Sequence, residues 1–150
     1  MADTSIISGG RPTGNGNSYR PIAGVTFQPG TPVIADSDVD STVLPAGPTA
    51  SESSPLPVNP TGIAQEVGVA GNRVSIRFSG PVELATNQWD FITGQSGGLT
   101  PNATYFLDSS DQGKLTSVEP TGSGAVVASV GVALSETVLL VQIQRRRIVP

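Results

Sequence analysis

Hydrophobic and polar residues alternate with a period of two in several short stretches of this chain. Within residues 74–78, the apolar residues are Val74, Ile76 and Phe78, and polar residues stand between them. Residues 141–145 show the same alternation. In a β-strand this spacing places the apolar side chains on one face and the polar ones on the other. The pattern therefore predicts half-buried strands.

Ten β-rich runs are separated by clusters of Gly, Pro, Asn and Asp. Short strands at this spacing are typical of an all-β sandwich or barrel. The runs are residues 25–28, 32–35, 42–44, 63–69, 74–78, 82–84, 104–108, 114–118, 126–134 and 138–143. Helical periodicity is confined to one predicted turn at 85–91, with Thr86 as its cap, Trp89 and Phe91 facing inward and Gly94 at its end. We therefore predict an all-β sandwich or barrel of about ten short strands.

The length of 150 residues favours one compact domain. Residues 1–20 predict an extended N-terminal arm, either disordered or ordered by a neighbouring subunit, because residues 8–17 offer no apolar face to bury. Residues 21–150 form the predicted β-sandwich or barrel domain. Within it, residues 45–61 carry five prolines and predict an extended Pro/Ser-rich loop.

Two parts of the chain resemble each other, which suggests two pseudo-repeats. Residues 31–36 match residues 103–108 at an offset of 72. Gly62 and Gly131 match at an offset of 69, and a closing strand recurs at an offset of about 65. Two such units would bury one another's apolar faces, although short β-rich sequences also align by chance. A glycine within a strand predicts a bulge or a close approach of another backbone.

The composition excludes several kinds of chemistry. The chain has no Cys and no His. Disulfides, Cys-based metal sites and Ser-His-Asp or Cys-His catalysis are therefore impossible within one chain. An enzyme would depend on carboxylates, tyrosines or Lys114, the one lysine. We predict a non-enzymatic protein with no cofactor and no metal.

The charge distribution points to contacts with another protein. The formal net charge is −4, and an acidic chain is not a typical nucleic-acid binder. Arg145, Arg146 and Arg147 form a basic tail, for which we favour a protein partner over a solvated end or nucleic acid. We add Arg11 and Arg20 as candidate partner contacts. With neither a signal peptide nor a stretch of about 20 apolar residues apparent, we expect a soluble protein made in a cytoplasm, without membrane contact.

Three aspartates stand at alternate positions, as at the start of a calcium loop: Asp36, Asp38 and Asp40. The sixth and twelfth positions of such a loop need Gly and Glu, and here they hold Ser41 and Gly47. A solvated turn is therefore favoured over a metal site.

Three other motifs are better interpreted as arm or turn residues than as chemical sites. Residues 9–14 lack the Gly-Lys-Ser/Thr ending of a phosphate loop, so we interpret them as part of the arm. Asp108 and Asp111 lie among turn residues, which favours a hairpin over a catalytic carboxylate pair. Asn102 begins a glycosylation sequon, but it more plausibly belongs to a turn after Pro101.

The aromatic residues allow two interpretations. They are either core and interface residues, which we favour, or a ligand-stacking face. The residues concerned are Phe78, Trp89, Phe91, Tyr105 and Phe106.

One motif resembles a known group of proteins. Residues 97–108 read GGLTPNATYFLD, followed by GKLT at 113–116 and VGVALSETVL at 130–139. This series is similar to a recurrent pattern in virion proteins of tailed bacteriophages, GGLTPGATYYL followed by G-x-L-T and VG-x-A-L-S-x-T-x-L. Upstream, residues 79–94 also resemble it, and residues 29–46 resemble the P-G-x-P-V opening of small capsid decoration proteins. Asn102 departs from the usual Gly, which leaves the turn type open.

The resemblance implies a virion structural protein without catalytic residues. We expect a capsid decoration (cement) protein that binds the major capsid protein on the outer head surface. The resemblance also implies a homotrimer. The alternative is a tail-fibre or baseplate component with a glycan-binding face. The arm, loop and tail fit a chain that reaches across subunit boundaries.

Overall fold

The computed structural model describes residues 17–36, 39–46, 60–108, 111–123, 125–144 and 147–150. Within these ranges the chain forms thirteen short strands and one helix. The strands are β1 (Ser18–Tyr19), β2 (Ile22–Ala23), β3 (Pro32–Ala35), β4 (Thr42–Pro45), β5 (Gly62–Ala64), β6 (Ile76–Arg77), β7 (Ser79–Glu83), β8 (Thr104–Leu107), β9 (Leu115–Thr116), β10 (Val126–Val127), β11 (Ser129–Ala133), β12 (Val138–Gln142) and β13 (Arg147–Ile148). The helix is α1 (Thr86–Thr93).

The strands build two main sheets. The first sheet has the order β1-β6-β5-β3-β4-β2, and the second has the order β7-β12-β11-β8-β9. All pairs in them are antiparallel except β2 with β4. Strands β10 and β13 form a separate antiparallel pair. Each main sheet is open at both ends, so of the two predicted all-β architectures the sandwich is the one that forms.

The two sheets repeat one strand order. Five strands of the first sheet can be matched one by one with the five strands of the second, in the same order from edge to edge. The matched series are β1, β6, β5, β3, β4 and β7, β12, β11, β8, β9. The pairing registers match as well. Val33 lies opposite Gly62 in the first sheet, and Tyr105 lies opposite Gly131 in the second. The predicted repeat, with its offsets of 72 and 69, is therefore confirmed by the hydrogen-bonding register.

The predicted offset of the closing strand is wrong by two residues. Ala64 pairs with Ile76, and Ala133 pairs with Leu139. Ile76 and Leu139 are 63 positions apart, whereas the sequence alignment placed this offset at about 65. The error has a simple cause, because side chains alternate with a period of two and a slip of two residues preserves the pattern.

The core has two parts, one between the sheets and one on the far side of the first sheet. We call the face of the first sheet that carries Val33 and Ala64 its front face, and the face that carries Ile34 and Ile63 its back face. Val33 and Ala64 belong to the front cluster, which also contains Ala23, Phe27, Val43, Val74 and Ile76. The back face packs on the larger cluster, which holds the buried residues of the second sheet and of α1.

Helix α1 is longer than the single turn predicted. Its N-cap is Ala85 rather than Thr86, and the backbone N–H of Ala85 donates to Gln88 Oε1 at 2.9 Å. It ends as predicted at Gly94, which has a φ of 74° and closes the last turn without a Cβ clash. Trp89 is buried as predicted.

The second inward residue of α1 is not the one predicted. Phe91 is 58% exposed, and Ile92 is buried instead. Residues three apart share a helix face, so Ile92 lies beside Trp89 while Phe91 points away. The strand-like spacing of two between Trp89 and Phe91 does not apply within a helix.

Other boundaries also differ from the prediction. Residues 126–134 form two strands in different sheets, β10 and β11, rather than one. Strand β1 pairs with β6, so ordered pairing begins at Ser18, within the predicted arm. Residues 1–16 of the arm and 47–59 of the Pro/Ser-rich loop lie outside the described residues.

The two matched glycines lie where the neighbouring strand comes close. A Cβ atom on Gly131 would lie 2.2 Å from the carbonyl oxygen of Leu140. A Cβ on Gly62 would lie 2.7 Å from the carbonyl oxygen of Arg77. Arg77 and Leu140 are themselves matched positions, 63 apart, in β6 and β12. Both halves therefore use glycine for the same close approach of a closing strand, as the sequence predicted.

Candidate functional site

The predicted aspartate cluster lies at a hairpin turn. The backbone N–H of Asp36 donates to the carbonyl of Thr42 at 2.8 Å, and Thr42 Oγ1 donates to the carbonyl of Asp40 at 3.1 Å. Asp38 lies outside the described residues. Among the residues that the structure describes, no group of three or more acidic side chains is placed to hold a metal ion.

The second aspartate pair also belongs to a turn. The backbone N–H of Asp108 donates to the carbonyl of Lys114 at 3.0 Å, which matches the bond from Asp36 to Thr42 in the first half. The side chain of Asp108 accepts a hydrogen bond from the backbone N–H of Asp111 at 3.2 Å. The carboxylate thus caps the turn, as the hairpin interpretation predicts.

The two largest aromatic anchors are fully buried. Trp89 and Tyr105 are both 0% exposed. Trp89 Nε1 donates to the carbonyl of Thr137 at 2.8 Å. The Tyr105 hydroxyl accepts from the backbone N–H of Thr100 at 2.8 Å and donates to Gln95 Oε1. These rings are core residues and are inaccessible to a stacking ligand.

Two other aromatic residues are exposed, each with its own neighbour. Phe78 is 41% exposed and lies against the ring of Tyr19, with centroids 6.1 Å apart. Lys114 Nζ lies 3.8 Å from the centroid of Phe91, over its ring, and donates to the Phe91 carbonyl at 2.8 Å. This contact accounts for the exposure of Phe91, because a cation over a ring is attracted to it without burial.

Burial raises the pKa of Tyr19 above its ordinary value of 10.0, and the hydrogen bond to Thr61 opposes part of that rise. The Tyr19 hydroxyl lies 2.9 Å from Thr61 Oγ1. This pair ties β1 to the segment that leads into β5.

The motif at residues 97–108 folds as a scaffold. The backbone N–H groups of Gly97 and Gly98 donate to the carboxylate of Asp90 at 3.2 Å and 2.7 Å. Leu99 is buried in the larger core cluster. The motif therefore connects the helix to β8 through backbone donors and one apolar anchor.

The turn within the motif tolerates Asn in place of Gly. The backbone N–H of Ala103 donates to the carbonyl of Thr100 at 3.1 Å, and Asn102 has a φ of 70°. Pro at the second position and a positive φ at the third are the signature of a type II turn. Asn is among the few residues that tolerate this region. The matched turn in the first half has Gly30, with a φ of 89°.

The predicted contact arginines are placed as follows. Arg20 Nη1 lies 3.4 Å from Glu66 Oε2, and the two side chains are 59% and 46% exposed. Arg147 forms an exposed ion pair with Glu119. Arg11, Arg145 and Arg146 lie outside the described residues. Exposed ion pairs are weak, so Arg20 and Arg147 can exchange their acids for those of a partner at little cost.

One surface was not identified as a site from the sequence. The outer face of the second sheet, turned away from the core, carries a row of apolar side chains. We call it the outer patch, and its members are Phe106, Val132, Leu134, Val138 and Leu140. Leu134 is 55% exposed, and the other four are partly exposed.

The strand register establishes that these side chains share one face. Val132 lies opposite Leu140 across β11 and β12. The backbone N–H of Leu134 donates to the carbonyl of Val138 at 2.8 Å at the end of that hairpin. The sequence held a signal, because residues 130–134 and 138–141 are apolar at nearly every position. Such strands are expected to be covered on both faces.

Among the described residues, no helix is both long enough and apolar enough to span a membrane. The chain matches no protein-family model and no curated protein sequence.

Proposed function

We propose that this chain is a non-enzymatic structural protein of a tailed-bacteriophage virion. Specifically, it is a decoration (cement) protein that binds the major capsid protein on the outer surface of the head. It would be made in the host cytoplasm. Many copies would bind to each particle and stabilise contacts between neighbouring capsid subunits. The homotrimer expected from the family resemblance belongs to this proposal.

One observation carries the proposal. The three stretches that resemble phage virion proteins, residues 97–108, 113–116 and 130–139, lie next to each other in the second sheet. They supply β8, β9, β11 and the start of β12. Their residues serve as turns, glycine contacts and buried anchors rather than as an exposed chemical site. The resemblance thus extends over a unit that folds together, which is what a shared structural module requires.

The absence of Cys and His from the whole sequence supports a binding role over a catalytic one. Exposed arginines in weak ion pairs, Arg20 and Arg147, supply groups that can contact acidic side chains on a capsid. Specific recognition by such charges acts mainly on the rate and selectivity of association.

The test is uptake by undecorated capsids. Purified protein is titrated against capsids that lack decoration, and bound protein is measured by co-sedimentation. We expect binding that saturates at a fixed number of copies per capsid. Uptake that rises without saturation, or no uptake, would contradict the proposal.

A matched pair of variants sharpens the test. Arg147→Ala removes a predicted contact, whereas Arg73→Ala removes an exposed arginine that donates to the backbone of Arg20 at 3.0 Å and was not predicted to bind a partner. If Arg147 contacts the capsid, its variant binds more weakly and the Arg73 variant binds as the wild type does.

The alternative, a glycan-binding tail component, needs accessible aromatic rings, and its two main candidate rings are not accessible. Trp89 and Tyr105, the rings that would stack on a sugar, are fully buried. No other observation favours this alternative.

A further inference from the structure

We infer that Arg77 is a binding site for a carboxylate group on the partner protein. The inference rests on the proposed function for the identity of that partner, the major capsid protein, and it names the chemistry of one contact. Arg77 lies in β6 on the back face of the first sheet, between Ser18 of β1 and Ile63 of β5. It is not among the arginines that the sequence predicted as partner contacts.

The guanidinium of Arg77 has no carboxylate partner within the described residues. The ion pairs found there are those of Arg20 and Arg147. Arg77 Nε is buried and donates to no atom, and Nη1 makes one long hydrogen bond, to the carbonyl of Ser79 at 3.3 Å. A half-buried arginine without an acid is partly desolvated and lacks the attraction that would offset this cost.

The strand pairing does not need an arginine at this position. Arg77 lies opposite Ile63, and in the second half the matched residue opposite Val132 is Leu140. An apolar side chain therefore occupies the same place in the same pairing register. Because the unpaired charge costs free energy and the ladder accepts leucine there, folding alone does not explain the arginine, whereas a contact outside the chain does.

The polar side chains beside Arg77 supply donors and no acid. Ser18 Oγ and Ser75 Oγ both donate to Gln65 Oε1, at 3.0 Å and 2.8 Å. These two bonds orient the amide of Gln65, whose Nε2 donates to no described residue. The backbone of Gln65 pairs with Ser75, so its side chain lies diagonally across β5 and β6 from Arg77, a separation that long side chains span. A guanidinium with an oriented amide nearby favours an anion.

The space beside the guanidinium is open to a ligand. Ser79, whose carbonyl accepts the bond from Nη1, is exposed. Gly80 places no side chain there, and a Cβ on it would lie 3.1 Å from Arg77 Nη1. The end of the guanidinium is therefore at the surface, where its planar donors can pair with both oxygens of a carboxylate.

Charge favours a protein carboxylate over a nucleic acid. The net charge of −4 repels a polyanion such as DNA. A contact with one acidic side chain is short, whereas charges farther away than about 8 Å are screened at physiological ionic strength. The neighbours of Arg77 on this face, Ser18, Gln65 and Ser75, include no acid that would oppose such a contact.

The experiment is capsid co-sedimentation with the full-length variant Arg77→Leu, which gives β6 the residue that β12 has at Leu140. We expect its affinity for undecorated capsids to fall by about tenfold or more, because a capsid carboxylate loses its charged partner. The midpoint of urea unfolding should stay the same or rise, because the variant removes a buried donor that has no acceptor. A purely structural arginine would give the opposite result.

The matched control is Arg73→Leu, which removes an exposed arginine of the same hairpin and should bind as the wild type does. A second arm tests the chemistry of the partner. Capsid carboxylates are converted to neutral amides with a carbodiimide and methylamine, and the titrations are repeated. We expect the wild type to bind these capsids more weakly and its advantage over Arg77→Leu to disappear, since the two changes remove the same interaction.

The outcomes separate this inference from the proposed function. Equal binding of the wild type and Arg77→Leu to untreated capsids overturns the inference and leaves the capsid role intact, as does an advantage of the wild type that persists on amidated capsids. No uptake of the wild type overturns the capsid role and the inference with it. If Arg77→Leu does not fold, Arg77→Gln, which keeps a polar side chain without the charge, decides by the same comparisons.

Discussion

The two halves of this protein share one strand order and pairing register, but different elements cover the front face of the first sheet and the matched face of the second. In the first half, Phe27 and Val74, which lie outside the strands of the sheet, complete the front cluster. Phe27 packs so closely on Gly68 that a Cβ there would lie 2.4 Å from its ring. In the second half, α1 provides the cover with Trp89 and Ile92. The comparison teaches that pairing register is the invariant part of the unit, whereas the cover can be replaced by a different secondary structure.

The core is divided unequally between these covers. Among the residues that the structure describes, fifteen buried ones form the cluster between the sheets, which includes the helix anchors, and seven form the front cluster. Burial of apolar area is the main favourable term in folding. We therefore expect the helix cover to contribute more to stability than the cover of the first half.

The largest expected effect comes from removing the helix anchor. Trp89→Ala empties the largest fully buried site and removes one of two donors to the carbonyl of Thr137, the other being the backbone N–H of Leu84. We therefore expect a loss of about 3–5 kcal/mol in the free energy of unfolding. Phe27→Ala, in the smaller cluster, should cost less. Urea denaturation measures both values.

Phe91→Ala is the control for that prediction. It lies in the same helix but is 58% exposed, and its loss should cost less than about 1 kcal/mol. If truncating Phe91 destabilises as much as truncating Trp89, the helix does not cover the sheet through the face described.

The matched glycines test whether the ladders are equivalent. A methyl group at Gly131 or at Gly62 would meet the backbone of the closing strand, at 2.2 Å and 2.7 Å respectively. We expect both alanine variants to be destabilised by about 1–3 kcal/mol, with Gly131→Ala the more severe. Thermal unfolding followed by circular dichroism ranks them.

Ser129→Ala is the control for the glycine pair, because it changes a side chain of the same strand β11 without affecting the approach of β12. A stable Gly62→Ala beside an unstable Gly131→Ala would break the equivalence of the two ladders at this point.

The smallest effect concerns Tyr19, which stands where the second half has Val82. Burial raises the pKa of Tyr19 in the folded state, so the folded protein holds this proton more tightly than the unfolded chain does. The stability that depends on the neutral hydroxyl is present below pH 10.0, the ordinary value, and is lost as the pH rises above it.

We expect Tyr19→Phe to reduce that loss. The measurement is the midpoint of urea unfolding for wild type and variant from neutral pH to above pH 10. The difference between the two proteins should change only at the alkaline end. Parallel curves over the whole range would contradict the assigned role of Tyr19.

The sequence predicted much of the strand pairing. Strand β3 has the bounds predicted for residues 32–35, and the offsets of 72 and 69 match the pairing register. These features depend on local alternation and turn residues, which a single sequence carries. Gly62 and Gly131 were likewise identifiable, because a strand tolerates glycine only where another backbone approaches.

The remaining features depend on contacts that sequence patterns do not encode. The parallel pairing of β2 with β4 joins Ile22 to Thr42, with β3 between them in the chain, and no local pattern specifies it. The break between β10 and β11 falls at Ala128, within a run that is apolar apart from Ser129, where alternation gives no boundary. The outer patch escaped notice for the same reason, since an apolar run does not state which of its faces is covered within the chain.

The order of strands along the chain determines when each sheet can form during synthesis. Every partner in the first sheet has been made once Arg77 leaves the ribosome, so that sheet can assemble while the rest is still being translated. Strand β7 must wait for β12, whose residues come about 60 positions later, before its ladder closes. Because domains generally fold as they emerge and distant pairings form slowly, the N-terminal sheet is available as a template on which the later one condenses.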